Sequence, residues 1–145
     1  LPYTTLSLSL TDIATVAALK KAVLSARSIA NAMGGQSGLY FAPLLERLGI
    51  ADQINARATR IPSGFSAEKL CSGEADLAVQ QISELLAVEG TQIVGPFLEE
   101  VQKVTTFSGA ALTGSVHQDQ VRAFLSFLRR KAAADSFMKF GLNLQ

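Results

Sequence analysis

The run Leu6-Ser7-Leu8-Ser9-Leu10 alternates apolar and polar positions with a period of two, which predicts a half-buried strand. From Thr11 the period changes. Ile13, Val16, Leu19, Val23 and Ala26 recur at helical spacing with Lys20-Lys21 facing water, predicting a surface helix over residues 14–26 capped by Asp12 or Thr15. Ser28-Ile29-Ala30-Asn31-Ala32 is short and small-residued and reads as a strand feeding the turn at Gly34-Gly35. The helix after Ser37 carries Phe41, Leu44, Leu45 and Leu48 on one side and stops at Gly49, a residue suited to the left-handed end of a helix. Pro43 removes a backbone donor past the first turn, which predicts a kink or a late start near residues 39–42. The cycle then repeats: a strand at 56–61, a turn at 62–66, a helix at 67–72 closed by Gly73, and a third strand at 76–81 ending in the amides Gln80 and Gln81. Residues 93–96 and 103–107 are expected to complete the strands, with 108–112 extending the last. Two helices, 119–130 and 132–140, end the chain.

Strands alternating with helices predict an α/β domain with ligands held outside the carboxyl ends of the strands, where the turns at 34–38, 63–66 and 80–83 converge. The first of these turns carries the most chemistry. Gly34-Gly35-Gln36-Ser37-Gly38 opens onto an apolar helix whose first N–H groups lack intrahelical partners, and Ser37 can cap only one of them. The positive end of the helix dipole lies there too, so an anion can settle without a Lys or Arg beside it. The plainer alternative is a serine-capped turn with glycines for tight geometry.

Composition narrows the field. With 145 residues, 48% of them hydrophobic, the chain is long and apolar enough for one domain, 1–145, with a real core. Thirteen basic residues against 12 acidic give a net charge of +1, and the basic runs Lys20-Lys21 and Arg129-Arg130-Lys131 lie on helical stretches as solvated faces, so no nucleic-acid partner is expected. The single cysteine, Cys71, excludes an intrachain disulfide and a cysteine-rich zinc site. No stretch approaches the roughly 18 apolar residues of a membrane span, and the first residues lack the layout of a secretory signal, which has been removed or never existed.

The signatures of catalysis are poor, and the chain is expected not to be an enzyme. Ser37 lies outside a Gly-x-Ser-x-Gly elbow because Leu39 replaces the second glycine, and His117 falls in a loop with no evident nucleophile partner. Glu99-Glu100 point to divergent directions in either a strand or a helix and read as solvated charges. Gly-x-Gly-x-x-Gly and Walker A motifs are absent, so no nucleotide or other cofactor is expected.

The blocks Gly35-Gln36-Ser37-Gly38-Leu39-Tyr40-Phe41, Leu44-Leu45-Glu46-Arg47-Leu48-Gly49-Ile50-Ala51 and Gly73-Glu74-Ala75-Asp76-Leu77-Ala78-Val79-Gln80-Gln81-Ile82-Ser83-Glu84-Leu85 resemble the second lobe of molybdate-type solute-binding proteins of ABC importers. The likeness continues through Val94-Gly95-Pro96 and residues 121–128. It implies a periplasmic-binding-protein type II-like lobe, a mixed sheet flanked by helices, that closes on a small anion and delivers it to a membrane permease. By the resemblance, the ligand-binding residues are Gly35, Ser37, Gly38, Gly64, Phe65, Ser66 and Gln80. Gln80 stands where molybdate binders characteristically place a tyrosine, and an amide that both donates and accepts admits an organic anion instead. The family also carries a first lobe ahead of this region. The chain therefore looks like half a binding protein, expected to bind an anion weakly. The same lobe architecture serves as an effector or oligomerisation domain in bacterial regulators, which is the alternative function.

The final helices bear on self-association. Val121, Phe124, Leu125 and Leu128 form one apolar stripe, widened by Phe127 and followed by Phe137, Met138 and Phe140. Large apolar patches are seldom left open, so these helices are expected to be covered in a two-fold homodimer or to fold onto the chain's own sheet.

Overall fold

The computed structural model describes residues 12–143, so the strand expected at 6–10 lies outside the described residues. Where the length predicts one domain, the chain divides into two compact units, with the boundary in the chain between Lys103 and Val104.

The first unit is built on a parallel three-stranded sheet in the order β2-β1-β3, with β1 Ile29–Ala32, β2 Thr59–Ile61 and β3 Leu77–Val79. In the ladder Ala30 faces Thr59 and Ala78, and Asn31 faces Arg60 and Val79. Ile29 and Ala30 are buried because the central strand is covered on both faces. Helix α1, Val16–Ser25, starts where Thr15 accepts a hydrogen bond from the Ala18 N–H at 3.0 Å, and it turns Leu19, Ala22 and Val23 inward. Helix α2, Gly35–Arg47, buries Phe41, Leu44 and Leu45, and Gly49 follows it with φ +64°. Helix α3, Ala51–Asn55, falls in a stretch where no element is predicted, and its Ile54 closes the core beside Ile50. Helices α4, Glu68–Cys71, and α5, Ile82–Leu85, are single turns.

Pro43 produces no late start, since α2 begins at Gly35 and runs unbroken through it. The proline lies on the exposed side of the helix, where water can satisfy the Leu39 carbonyl that it leaves without a donor. The strands expected at 93–96 and 103–107 are absent among the described residues, so the sheet there is parallel rather than mixed. Gly95 takes φ +147°, open in practice only to glycine, and Pro96 has no N–H to give to a ladder. The chain instead makes a 3-10 turn, Glu99–Val101, that buries Val101 in the core and lets its carbonyl accept from the Tyr40 hydroxyl.

Opposite the site, at the amino ends of the strands, Asp76 accepts from the Arg27 backbone N–H at 2.8 Å and from its guanidinium at 2.9 Å. This pairing ties the start of β3 to the start of β1. Ser28 repeats the tie toward β2, hydrogen-bonding the Arg57 carbonyl at 2.8 Å and the Thr59 hydroxyl at 2.7 Å.

The second unit holds α6, Gln118–Leu128, and α7, Lys131–Lys139, close to the predicted helices. Lys131 and Asp135 form an ion pair one turn apart on α7. Ala133 is buried, whereas Phe124, Phe127, Met138 and Phe140 are exposed.

Candidate functional site

At the carboxyl end of β1 the chain passes through Met33 and Gly34 into α2. Met33 still donates to the Ile61 carbonyl at 2.8 Å, so the sheet stays paired up to the turn. Gly35 then enters the helix with φ +72°, a conformation that L side chains rarely adopt. Helix α2 therefore begins three residues earlier than a Ser37 cap would place it. Ser37 is its third residue, and no side chain caps the first turn. Among the described residues, the N–H groups of Gly35, Gln36 and Ser37 are left without acceptors at the positive end of a 13-residue helix.

The turn after β2 is braced by the turn after β3. The Gln80 carbonyl oxygen accepts from the Ser66 N–H at 2.7 Å and from its hydroxyl at 2.9 Å, while the Gln80 amide nitrogen donates to the Gly64 carbonyl at 3.0 Å. The partners fix which end of the amide is which, because an N–H must meet oxygen and a carbonyl must meet nitrogen. Gly64 holds φ +89°, so this tight turn requires glycine. Ser66 is fully buried, at 0% exposure.

These three turns enclose a cleft of about 210 Å³ lined by Ala32, Gly34, Gly35, Gln36, Ser37, Pro62, Ser63, Gly64, Gln80, Gln81 and Glu84. Of the residues expected to bind ligand, Gly35, Ser37, Gly64 and Gln80 line it. Gly38, Phe65 and Ser66 do not. Gly38 is packed against β1, where a Cβ would stand 2.2 Å from the Ala32 carbonyl oxygen, so glycine here permits close approach of helix to strand. Ser66 spends its hydroxyl on Gln80, and Phe65 lies outside the lining. Gln36, Ser63 and Gln81, which lie in the converging turns but are not among the expected ligand residues, also line the cleft, as does Glu84, which lies just beyond the third turn. The available signal was position: each lies within five residues of a strand's carboxyl end.

The wall is rich in neutral donors and carries no lysine or arginine. Its single ionisable side chain is Glu84, whose Oε2 accepts from the Gln81 N–H at 3.2 Å at the start of α5. A larger apolar groove of about 550 Å³ lies along Asp12–Ala14 and Val94–Leu98, but its one carboxylate, Asp12, accepts from the Ala14 N–H. Nothing there matches the convergence of polar turns at the strand ends. Among the described residues no group of three or more His, Cys, Asp or Glu side chains is placed to hold a metal.

Comparison with known proteins gives three findings. A family profile described as bacterial extracellular solute-binding protein matches residues 6–143. An aconitate isomerase from a Pseudomonas species is 36% identical over 132 residues, 90% of this chain and 50% of its own length. The molybdate-binding protein ModA of Escherichia coli strain K12 is 26% identical over 110 residues, 75% of this chain and 42% of its own. The chain thus spans about half the length, or less, of these relatives. No solved structure matches significantly. The first relative overturns the expectation that the chain is not an enzyme, since a protein named aconitate isomerase is 36% identical to it over 90% of its length. The absence of a nucleophile elbow excludes only chemistry that runs through such a serine.

Proposed function

This chain belongs to the bacterial extracellular solute-binding protein family, and we propose that its cleft forms one wall of a site for a small organic polycarboxylate of the aconitate kind. The observation that carries the reading is the cleft itself: unpartnered N–H groups at the start of α2, the hydroxyls of Ser37 and Ser63, and the amides of Gln36 and Gln81, gathered at the carboxyl ends of three parallel strands. Such neutral donors suit a carboxylate, and the helix end supplies partial positive charge without a cation. Gln80 serves this wall mainly as a brace, since its carbonyl oxygen and one amide hydrogen are engaged with Ser66 and Gly64.

At about 210 Å³ the cleft is smaller than the roughly 300–1,000 Å³ of a complete small-molecule site. The proposal therefore assigns the opposite wall to a second lobe of a hinged protein. It includes an extracytoplasmic location, with a membrane permease as partner where the protein serves import. Among the described residues no helix is long and apolar enough to cross a membrane. A homodimer covering the apolar face of α6 and α7 remains part of the proposal.

Calorimetry on the intact protein tests the ligand class, using trans-aconitate, cis-aconitate and tricarballylate beside molybdate and sulfate. Saturable heats with the carboxylates and none with the inorganic anions are expected. Molybdate binding with no carboxylate binding would reverse the assignment toward the oxyanion reading that the ModA likeness suggests.

A further inference from the structure

We propose that Glu84 is the proton-transferring group of this cleft, an inference that rests on the polycarboxylate reading above. Glu84 is the one ionisable side chain among the lining residues. A carboxylate facing a bound polyanion opposes binding by like-charge repulsion, so a wall built only for retention gains nothing from it. Its placement suits chemistry better. One oxygen, Oε2, is anchored by the Gln81 N–H at 3.2 Å, and among the described residues Oε1 makes no hydrogen bond. The anchor, one half of a capping box with Gln81, holds the group at the third position of α5 in the cleft wall while the second oxygen stays without a partner among the described residues.

The chemistry that such a carboxylate offers an unsaturated tricarboxylate is an allylic proton shift. Glu84 takes a proton from the methylene carbon; the C–H electron pair becomes a new double bond to the central carbon. The former double-bond pair moves to the outer carbon, where the adjoining carboxylate helps to spread the charge. Glu84, now a carboxylic acid, returns the proton to that outer carbon and is regenerated. Nothing is oxidised or reduced, and no co-reactant is needed. The product has the same constitution as the starting material, with the geometry about its double bond set by how the bound ligand is turned. Neutral donors around the ligand's carboxylates stabilise the charge that develops between the two transfers.

The competing role for Glu84 is structural, as the residue whose side chain reaches back to the first N–H before α5. Glu84→Gln separates the two, because glutamine keeps a carbonyl oxygen for the Gln81 N–H and loses the capacity to carry a proton. The intact protein is incubated with trans-aconitate in D2O, and deuterium entering carbon-bound positions is followed by NMR. Tricarballylate, which has no allylic position, reports binding alone by calorimetry. Glu84→Gln is expected to slow deuterium incorporation at least ~100-fold, the lower end of general acid–base effects. Its tricarballylate affinity is expected to hold or to tighten several-fold as the repulsion is removed.

Equal incorporation by wild type and Glu84→Gln would overturn the role of Glu84. Tricarballylate binding without any incorporation by the wild type would overturn it too, while leaving the ligand class intact. Failure of every carboxylate to bind would overturn the ligand class and this inference with it. Should Glu84→Gln not fold, Glu84→Asp keeps the charge with the carboxylate one methylene short, and incorporation undiminished at unchanged affinity would be equally contrary.

Discussion

Gly38→Ala measures how closely α2 must approach β1 for the cleft to exist. A Cβ at position 38 would stand 2.2 Å from the Ala32 carbonyl oxygen and 3.3 Å from the Met33 carbonyl carbon, both backbone atoms. Contacts under 3.0 Å are essentially never found, so the start of the helix must retreat by about 0.8 Å. The strand cannot give way easily, because Ala32 lies in register with Ile61 and Met33 donates to the Ile61 carbonyl. Overpacking of this kind costs about 1–3 kcal/mol, against which alanine regains about 1 kcal/mol of helix propensity over glycine. The net loss of up to about 2 kcal/mol corresponds to about 4–8 °C in Tm for each kcal/mol in a domain of this size. Thermal unfolding by circular dichroism reads it, and carboxylate affinity should fall beyond what stability explains because the first-turn N–H groups move with the helix. Gly34→Ala is the control, having no atom within 4 Å of its built Cβ and no positive φ, and it should shift Tm little. A Gly38→Ala protein more stable than wild type would show that propensity alone decides and that the close approach is not a constraint.

Removing the brace with Gln80→Ala leaves the buried Ser66 N–H without its acceptor and its hydroxyl with only the Val79 carbonyl at 3.5 Å, a cost of about 1–3 kcal/mol, and should speed amide exchange at Ser66; unchanged protection there would refute the bracing role. The Arg27 guanidinium and backbone N–H hold the Asp76 carboxyl below the usual carboxylate value of 3.8. A depressed folded pKa contributes stability above the unfolded value and loses it as pH falls through the folded one, so Tm should drop below about pH 4 and Asp76→Asn should flatten that acid limb. Parallel acid limbs in the two proteins would dismiss the pairing as a source of stability. Light scattering of the intact protein at micromolar concentration should give a dimer that Phe124→Asp weakens, since Phe124 is exposed on α6; a monomer would end the homodimer proposal.

What could be read from the sequence was whatever a local period or a glycine encodes. The helices of 16, 19 and 23, of 41, 44 and 45, and of the C-terminal stripe emerged close to their observed places because one face of each must be apolar. Convergence of three turns at one sheet edge also followed, from alternation of strand and helix alone. What stayed hidden depends on neighbours distant in the chain. Ser37 looks like a cap until the positive φ of Gly35 moves the helix start, and Gln80 looks like a ligand donor until Ser66 and Gly64, 14 and 16 residues away, claim its amide. Residues 93–96 read as apolar strand, but backbone geometry at Gly95 and the missing donor of Pro96 outweigh that pattern. Glu84 carries no signal in the sequence, because a single carboxylate in a short apolar-polar run has no spacing signature; only the cleft sets it apart.

The polycarboxylate reading is tested most directly by a crystal structure of the intact protein with trans-aconitate. A carboxylate is expected at hydrogen-bond distance from the N–H groups of Gln36 or Ser37, within the wall formed by Ser63, Gly64 and Gln81. A ligand held elsewhere, with those N–H groups bound only to water, would contradict it.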